Sequence, residues 1–168
     1  LAIVKEAAAN KAAAAGSEAR KVGDFYAAWL DEARLESLGI KPLAATFAQI
    51  KAVKKKSELP ALMAKLGREG IRMPLIPYVT QDDKISTQMI GVYEQGGLGL
   101  PNRDFYLQKD AKFEALRKAY LAHLAKMWTL SGGKKSAKVA AAIFKLERKL
   151  ATAQWDKVRN RNPLATYN

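Results

Sequence analysis

The sequence predicts a mainly α-helical protein with one β-hairpin and a C-terminal antiparallel helical hairpin. Three observations carry this. Apolar residues recur every three or four positions along most of the chain, the spacing of a helix with one buried stripe. One stretch, about residues 74–95, breaks that texture with Pro, β-branched and aromatic residues. Two long periodic segments near the C-terminus are separated only by Ser131-Gly132-Gly133 and a few neighbours, a connection that fits antiparallel helices.

Taken in order, Leu1 to Ala15 is Ala-rich and predicts a helix that runs to Gly16. Ser17 is placed to cap a second helix, with Val22, Phe25, Tyr26, Trp29, Leu30 and Ala33 as one buried stripe and Gly39 as its stop. Lys41-Pro42 predicts a turn. Ala44 to Val53 reads as a short helix presenting Phe47 and Ile50. Ser57 to Leu66 reads as another, capped by Ser57 and presenting Leu59, Leu62, Met63 and Leu66. Residues 74–80 and 85–95 read as two antiparallel strands turning near Asp82-Asp83. Gly96 to Pro101 is a loop. A helix from about Asp110 to Leu130 aligns Phe113, Leu116, Tyr120, Leu124, Met127 and Leu130. A last helix from about Ser136 to Arg159 aligns Val139, Ile143, Leu146, Leu150 and Ala153, and the tail from Asn160 to Asn168 reads as loop.

Composition narrows the chemistry. The chain has 168 residues, no cysteine, one histidine and a net charge of +13. A disulfide framework, a thiol nucleophile and a Cys-based zinc or iron–sulfur site are excluded. Any catalytic triad has only His123 to draw on, and a two-histidine zinc site cannot be built from one chain. Apolar residues make up 49 %, too many for a disordered polycation. No run approaches the ~18 apolar residues of a membrane span. The absence of cysteine suits cytosol and periplasm alike. The length suits one domain, yet the chain opens at Leu1, inside a helical pattern and without Met, which predicts a trimmed longer protein.

The residues that could carry chemistry each have a plainer reading. His123 lies beside an apolar stripe without the Glu and second His of a zincin helix. Asp31, Glu32 and Glu36 suit a solvated helix face, and Asp82-Asp83 suits a turn. Gly96-Gly97-Leu98-Gly99 follows a strand but lacks the Gly-Lys-Ser/Thr of a P-loop and the spacing of a dinucleotide fingerprint, and Pro101 removes an N–H from any anion cradle. Lys54-Lys55-Lys56 suits a solvated helix end. Residues 1–84 hold 14 basic and 10 acidic side chains, residues 85–168 hold 15 and 6. That excess invites an anionic partner, but there is no Arg-rich recognition helix and no aromatic–basic platform for a single strand.

The segment Gly97-Leu98-Gly99-Leu100-Pro101-Asn102-Arg103-Asp104-Phe105-Tyr106-Leu107 resembles the Gly-Leu-Gly-Leu-Pro-x-Arg-Asp-Tyr-Tyr motif of the neprilysin and endothelin-converting-enzyme family of zinc metallopeptidases, with Phe105 in place of the first Tyr. Val79-Thr80-Gln81-Asp82-Asp83-Lys84 resembles that family's strand and turn, and Val22-Gly23-Asp24-Phe25-Tyr26 to Asp31-Glu32-Ala33 is similar to a helix of its bacterial members. Leu146-Glu147, then Trp155 to Arg161, then Thr166-Tyr167-Asn168, are similar to the segment after its helical hairpin. Arg159-Asn160-Arg161-Asn162 departs from the usual Glu-Asn-Arg-Asp in its flanking charges.

The resemblance spans all of residues 1–168 and implies an internal piece of the N-terminal, non-catalytic half of a peptidase about four times as long. Residues 1–168 are then part of a helical lid lobe that caps the active-site chamber and admits oligopeptides. It implies zinc in the parent, held by a His-Glu-x-x-His motif and a downstream Glu that lie beyond Asn168, so that none of these residues is catalytic, cofactor-binding or metal-ligating. The partners it implies are the catalytic C-terminal half and oligopeptide substrates, without nucleic acid, and the location is bacterial periplasm, cell envelope or secreted. The glycine motif reads as backbone architecture, with Pro101 fixing a turn and Arg103-Asp104 opening a helical segment. Two alternatives stand beside this: a stand-alone basic helical module for nucleic acid, and a naturally truncated family member with a regulatory role.

Overall fold

The computed structural model describes residues 1–167; Asn168, the end of the tail and of the last matched segment, lies outside the described residues. The chain forms two compact units, Leu1–Ala52 and Val53–Asn168.

In the first unit, α1 (Ala2–Ala9) lies against α2 (Glu18–Trp29), followed by α3 (Glu32–Leu38), a 3-10 turn at Lys41–Leu43 and α4 (Ala44–Ala52). The expected helix to Ala15 stops six residues early. Asn10 leaves the helical region at ψ 82, and its side-chain oxygen accepts from the Ala12 N–H, an Asx turn that competes with the helix. Ser17 caps α2 as expected, accepting from the Arg20 N–H.

The single long helix to Gly39 is instead two. Asp31, read as a surface carboxylate, accepts from the Arg34 N–H at 2.9 Å and so begins α3. The predicted stripe is also not the buried one. Gly23 is the buried residue of α2, and a Cβ there would collide with the Ala7 carbonyl carbon at 2.7 Å. The small residue lets α1 approach on that face, while Phe25 and Trp29, on the far side, stay 73 % and 72 % exposed.

In the second unit, α5 (Leu59–Arg68) follows a 3-10 turn at Lys56–Glu58. Ser57 is not its cap. The Glu58 carboxylate, which accepts from the N–H groups of Lys54 and Lys55, closes this entry and is held below the usual carboxylate range by those two donors. The helix ends in a Schellman motif, with Gly70 at φ +85 and Ile71 N–H bonded to the Leu66 carbonyl. Strands β1 (Leu75–Gln81) and β2 (Met89–Gln95) pair antiparallel, Leu75 opposite Gln95 and Gln81 opposite Met89. The second strand begins four residues later than expected. The Asp82 carboxylate accepts from Lys84 and Ile85 N–H groups and spends residues 82–88 on a wide turn.

After the short α6 (Asp104–Leu107) come α7 (Ala111–Leu130), capped by Asp110, and α8 (Ser136–Ala153), packed as the expected antiparallel hairpin. The last helix ends six residues before Arg159. Gln154 turns extended, and Asp156 caps a separate α9 (Lys157–Asn160). The tail is not all loop: Asn162 caps α10 (Pro163–Thr166). On α8 the inward face is Ala140, Phe144, Glu147 and Ala151, so Leu146 and Ala153 point away, Leu146 being 60 % exposed. On α7 the stripe is likewise rotated: Phe113, Arg117, Tyr120 and Leu124 are half-buried, while Met127 and Leu130 are exposed.

Because α1 reaches α2 only through the missing side chain of Gly23, Gly23→Ala should destabilise the first unit by about 1–3 kcal/mol. Denaturant unfolding followed by circular dichroism measures it, and an unchanged midpoint would show that the two helices are not locked by that contact.

Candidate functional site

The motif segment and the helical hairpin meet at one carboxylate. Glu147 stands on the inward face of α8, the only acidic residue of that helix. Tyr106, on α6 and 2 % exposed, donates its hydroxyl proton to Glu147 Oε2 at 2.8 Å. Tyr120, on α7, donates to the same carboxylate at 3.0 Å. The Tyr106 oxygen in turn accepts from the Leu100 N–H at 2.9 Å, so the loop is hung from the helices by a chain of hydrogen bonds. Ring contacts reinforce it: Tyr106 stacks on Phe144 with centroids 5.5 Å apart, and Phe105 meets Phe113 edge-on at 5.0 Å.

The glycines are what the loop's closeness requires. A Cβ on Gly99 would overlap the Tyr120 hydroxyl, and Gly97 sits at φ +78 with Pro74 Cα only 2.9 Å from where its Cβ would stand. Arg117 Nη1 donates to the carbonyls of Phe105 and Gln108, closing the end of α6. On the other side, Gln95 and Trp155 form a reciprocal pair, the Gln95 amide donating to the Trp155 carbonyl at 3.0 Å and accepting from the Trp155 N–H at 2.8 Å. Gln154 donates to the Gly96 carbonyl at 2.7 Å. The loop borders a groove of about 670 Å³ that Arg72, Glu94, Arg103 and Lys157 also line. Arg103 Nε is buried there with no hydrogen-bond partner among the described residues.

Burial, with the Glu147 carboxylate second among the raising causes, pushes the Tyr106 hydroxyl up to about 12, and the same causes in the same order raise Tyr120. Both phenols therefore keep their protons near neutral pH and stay donors to Glu147. A second tie joins Tyr167 to the hairpin turn: its hydroxyl donates to Asp82, with Lys84 lying 3.9 Å from its ring centre.

The other singled-out residues do not converge. His123 is exposed on α7, its ring stacked near Tyr120 at 6.5 Å. Asp31 caps α3, and Glu32 and Glu36 are exposed on it. Lys54, Lys55 and Lys56 are exposed at the entry to α5. Among the described residues, no group of three or more His, Asp or Glu side chains could hold a metal ion. The Tyr–Glu–Tyr cluster was not foreseen. Its signal was Glu147 itself, the lone acid set between Ile143 and Leu150 on an apolar face.

The model of Peptidase family M13, in its N-terminal part, matches residues 1–168. Human endothelin-converting enzyme 1 is 30 % identical over 138 residues, 79 % of this chain and 18 % of its own. Mouse endothelin-converting enzyme-like 1 is 27 % identical over 169 residues, covering 91 % of this chain and 21 % of its own. The Mycobacterium tuberculosis zinc metalloprotease Zmp1 matches in two structures at 36 % identity over 99 % of this chain. Its open state gives a TM-score of 0.86, over 26 % of its length, and its complex with an inhibitor gives 0.88, over 25 %. The chain therefore spans about a fifth to a quarter of the relatives it matches.

Two outcomes follow from the cluster. Glu147→Ala leaves one buried and one half-buried phenol donor unpaired and should cost about 2–4 kcal/mol in urea unfolding, whereas an exposed control such as Glu114→Ala should cost under ~0.5 kcal/mol. A raised tyrosine pKa stabilises the fold below the ordinary phenol range and loses that contribution as pH climbs through the folded value. Thermal stability should thus fall between about pH 10 and 12, and Tyr106→Phe should flatten that fall. A melting temperature independent of pH across this window would contradict the buried phenols.

Proposed function

Since the chain belongs to peptidase family M13, we propose that it is a non-catalytic helical segment of a larger zinc-dependent metalloendopeptidase, and that it caps the active-site chamber and limits substrates to oligopeptides. The observation that carries this is the match to Zmp1 in both an open and an inhibitor-bound structure, with nearly equal TM-scores of 0.86 and 0.88. A chain that matches the open and the inhibitor-bound state alike suits a lobe whose units each keep their own packing and do not refold around substrate. The Tyr106–Glu147–Tyr120 tie supplies that internal rigidity to the second unit. The catalytic half of the same protein is its expected partner, zinc the metal of that half, and the periplasm, cell envelope or medium its expected location. The nucleic-acid alternative has no specific observation in its favour.

Two measurements test it. The isolated 168-residue chain, dialysed and analysed for metal, should hold far less than one zinc per chain and cleave no peptide; one tightly held zinc would overturn the non-catalytic assignment. In the parent enzyme, Glu147→Ala should leave short-peptide kcat/KM within about threefold while raising cleavage of longer chains, because a loosened cap relaxes size exclusion more than chemistry. An unchanged size limit would remove the capping role.

A further inference from the structure

The helical hairpin carries a charge pattern that the capping role does not use. Between Glu114 and Glu147 there is no acidic residue: residues 115–146 hold seven Lys and Arg side chains and no Asp or Glu. Arg117 is spent on the carbonyls of Phe105 and Gln108. The lysines of the tip, Lys126, Lys134, Lys135 and Lys138, are all exposed. Beside them, Met127 and Leu130 are 50 % and 58 % exposed at the last turn of α7.

The tip is also preformed. The Trp128 indole N–H donates to the Lys134 carbonyl at 2.9 Å, and its ring occupies the space a Cβ on Gly133 would need. Ser131 donates to the Trp128 carbonyl at 2.8 Å, and Gly132 turns the chain at φ +82. Lys135 stands at φ +55 and ψ +44, the one non-glycine residue at positive φ among those described. Glycine or asparagine would hold that left-handed position at lower cost. A lysine kept there presents charge at the expense of backbone ease.

We infer that the tip of the α7–α8 hairpin is a peripheral docking surface for an anionic lipid bilayer. Lysines in a field without competing acids are drawn to anionic headgroups, each by about a fivefold gain in affinity when close to the surface. Two adjacent apolar side chains at a convex end reach the acyl boundary without burying the rest of the hairpin, and an amphipathic tryptophan lies beside them. Docking here is superficial: among the described residues no helix is long and apolar enough to cross a membrane. A bilayer is favoured over nucleic acid because exposed Met127 and Leu130 have no use against phosphates.

The test is co-sedimentation of the full chain with vesicles of phosphatidylcholine carrying about one-third phosphatidylglycerol, against phosphatidylcholine alone. Binding is expected only to the anionic vesicles and should weaken steeply with salt. Lys134→Gln with Lys138→Gln should lower affinity about 30-fold, and Met127→Ser with Leu130→Ser about tenfold, with helicity unchanged by circular dichroism. Lys135→Gly separates binding from folding: it should keep or raise the melting temperature while costing about fivefold in affinity. The inference is overturned by absence of binding at low salt, by equal binding to neutral vesicles, or by full affinity in the lysine variants. It is equally overturned if the Met127 and Leu130 changes have no effect and duplex DNA binds as tightly as the vesicles, an outcome that would assign the tip to polyanions in general.

Discussion

The second unit depends on one half-buried carboxylate with two hydroxyl donors. Among the described residues Glu147 forms no salt bridge; two phenols satisfy it, one from α6 and one from α7. A carboxylate placed on a helix's inward face is costly unless every strong acceptor position finds a donor. Here the cost fixes the geometry: α6, α7 and α8 can adopt only the arrangement that brings Tyr106 and Tyr120 to the same pair of oxygens. An apolar residue of similar size would tolerate sliding and rotation between the helices, which a three-centre hydrogen-bond cluster does not.

The glycine loop takes its shape from that cluster. The Tyr106 oxygen that donates to Glu147 accepts from Leu100, and the Tyr120 ring lies where a side chain at position 99 would stand. A loop drawn this close to two aromatic rings must be bare at some positions and left-handed at others, which accounts for Gly99 and Gly97 without any appeal to a bound phosphate. The loop's other end is held by two amide side chains, Gln154 just past α8 on the Gly96 carbonyl and Gln95 at the end of β2 on Trp155. A segment rich in glycine is thereby made one of the better-tied parts of the unit. Only Arg103, with its Nε buried and unpartnered among the described residues, stands outside this accounting.

What was legible in the sequence divides along a physical line. Helix existence, the two-strand hairpin and the antiparallel pairing of α7 with α8 follow from periodicity and short connections, which are local properties. The boundaries that moved were set by side chains that accept backbone N–H groups: Asn10, Asp31, Asp82 and Asp156 each ended or began an element. Each was visible as a residue, but its choice between surface carboxylate and cap depends on ψ angles that composition does not report. The buried stripes were harder. In α2 the face with Val22, Phe25 and Trp29 is the more apolar one, yet the face with Gly23 is covered, because close approach of helix axes can outweigh side-chain area. The glycine motif was legible by resemblance and its backbone role by residue type, while the Tyr–Glu–Tyr tie requires three elements brought together from positions 106, 120 and 147.

The same division explains how a chain with a charge of +13 can be both well ordered and open to a partner. Several of its acids are consumed in its own construction. Asp110 and Asp156 cap helices, Glu58 closes the entry to α5, Asp82 closes the hairpin turn and accepts Tyr167, and Glu147 holds the phenols. Carboxylates so engaged are turned toward backbone donors and hydroxyls and offer little to the lysines around them. Among the described residues one salt bridge forms, Arg20 to Asp24 at 2.8 Å. The exposed cations of the α7–α8 hairpin stand in a segment, residues 115–146, that contains no acid to offset them.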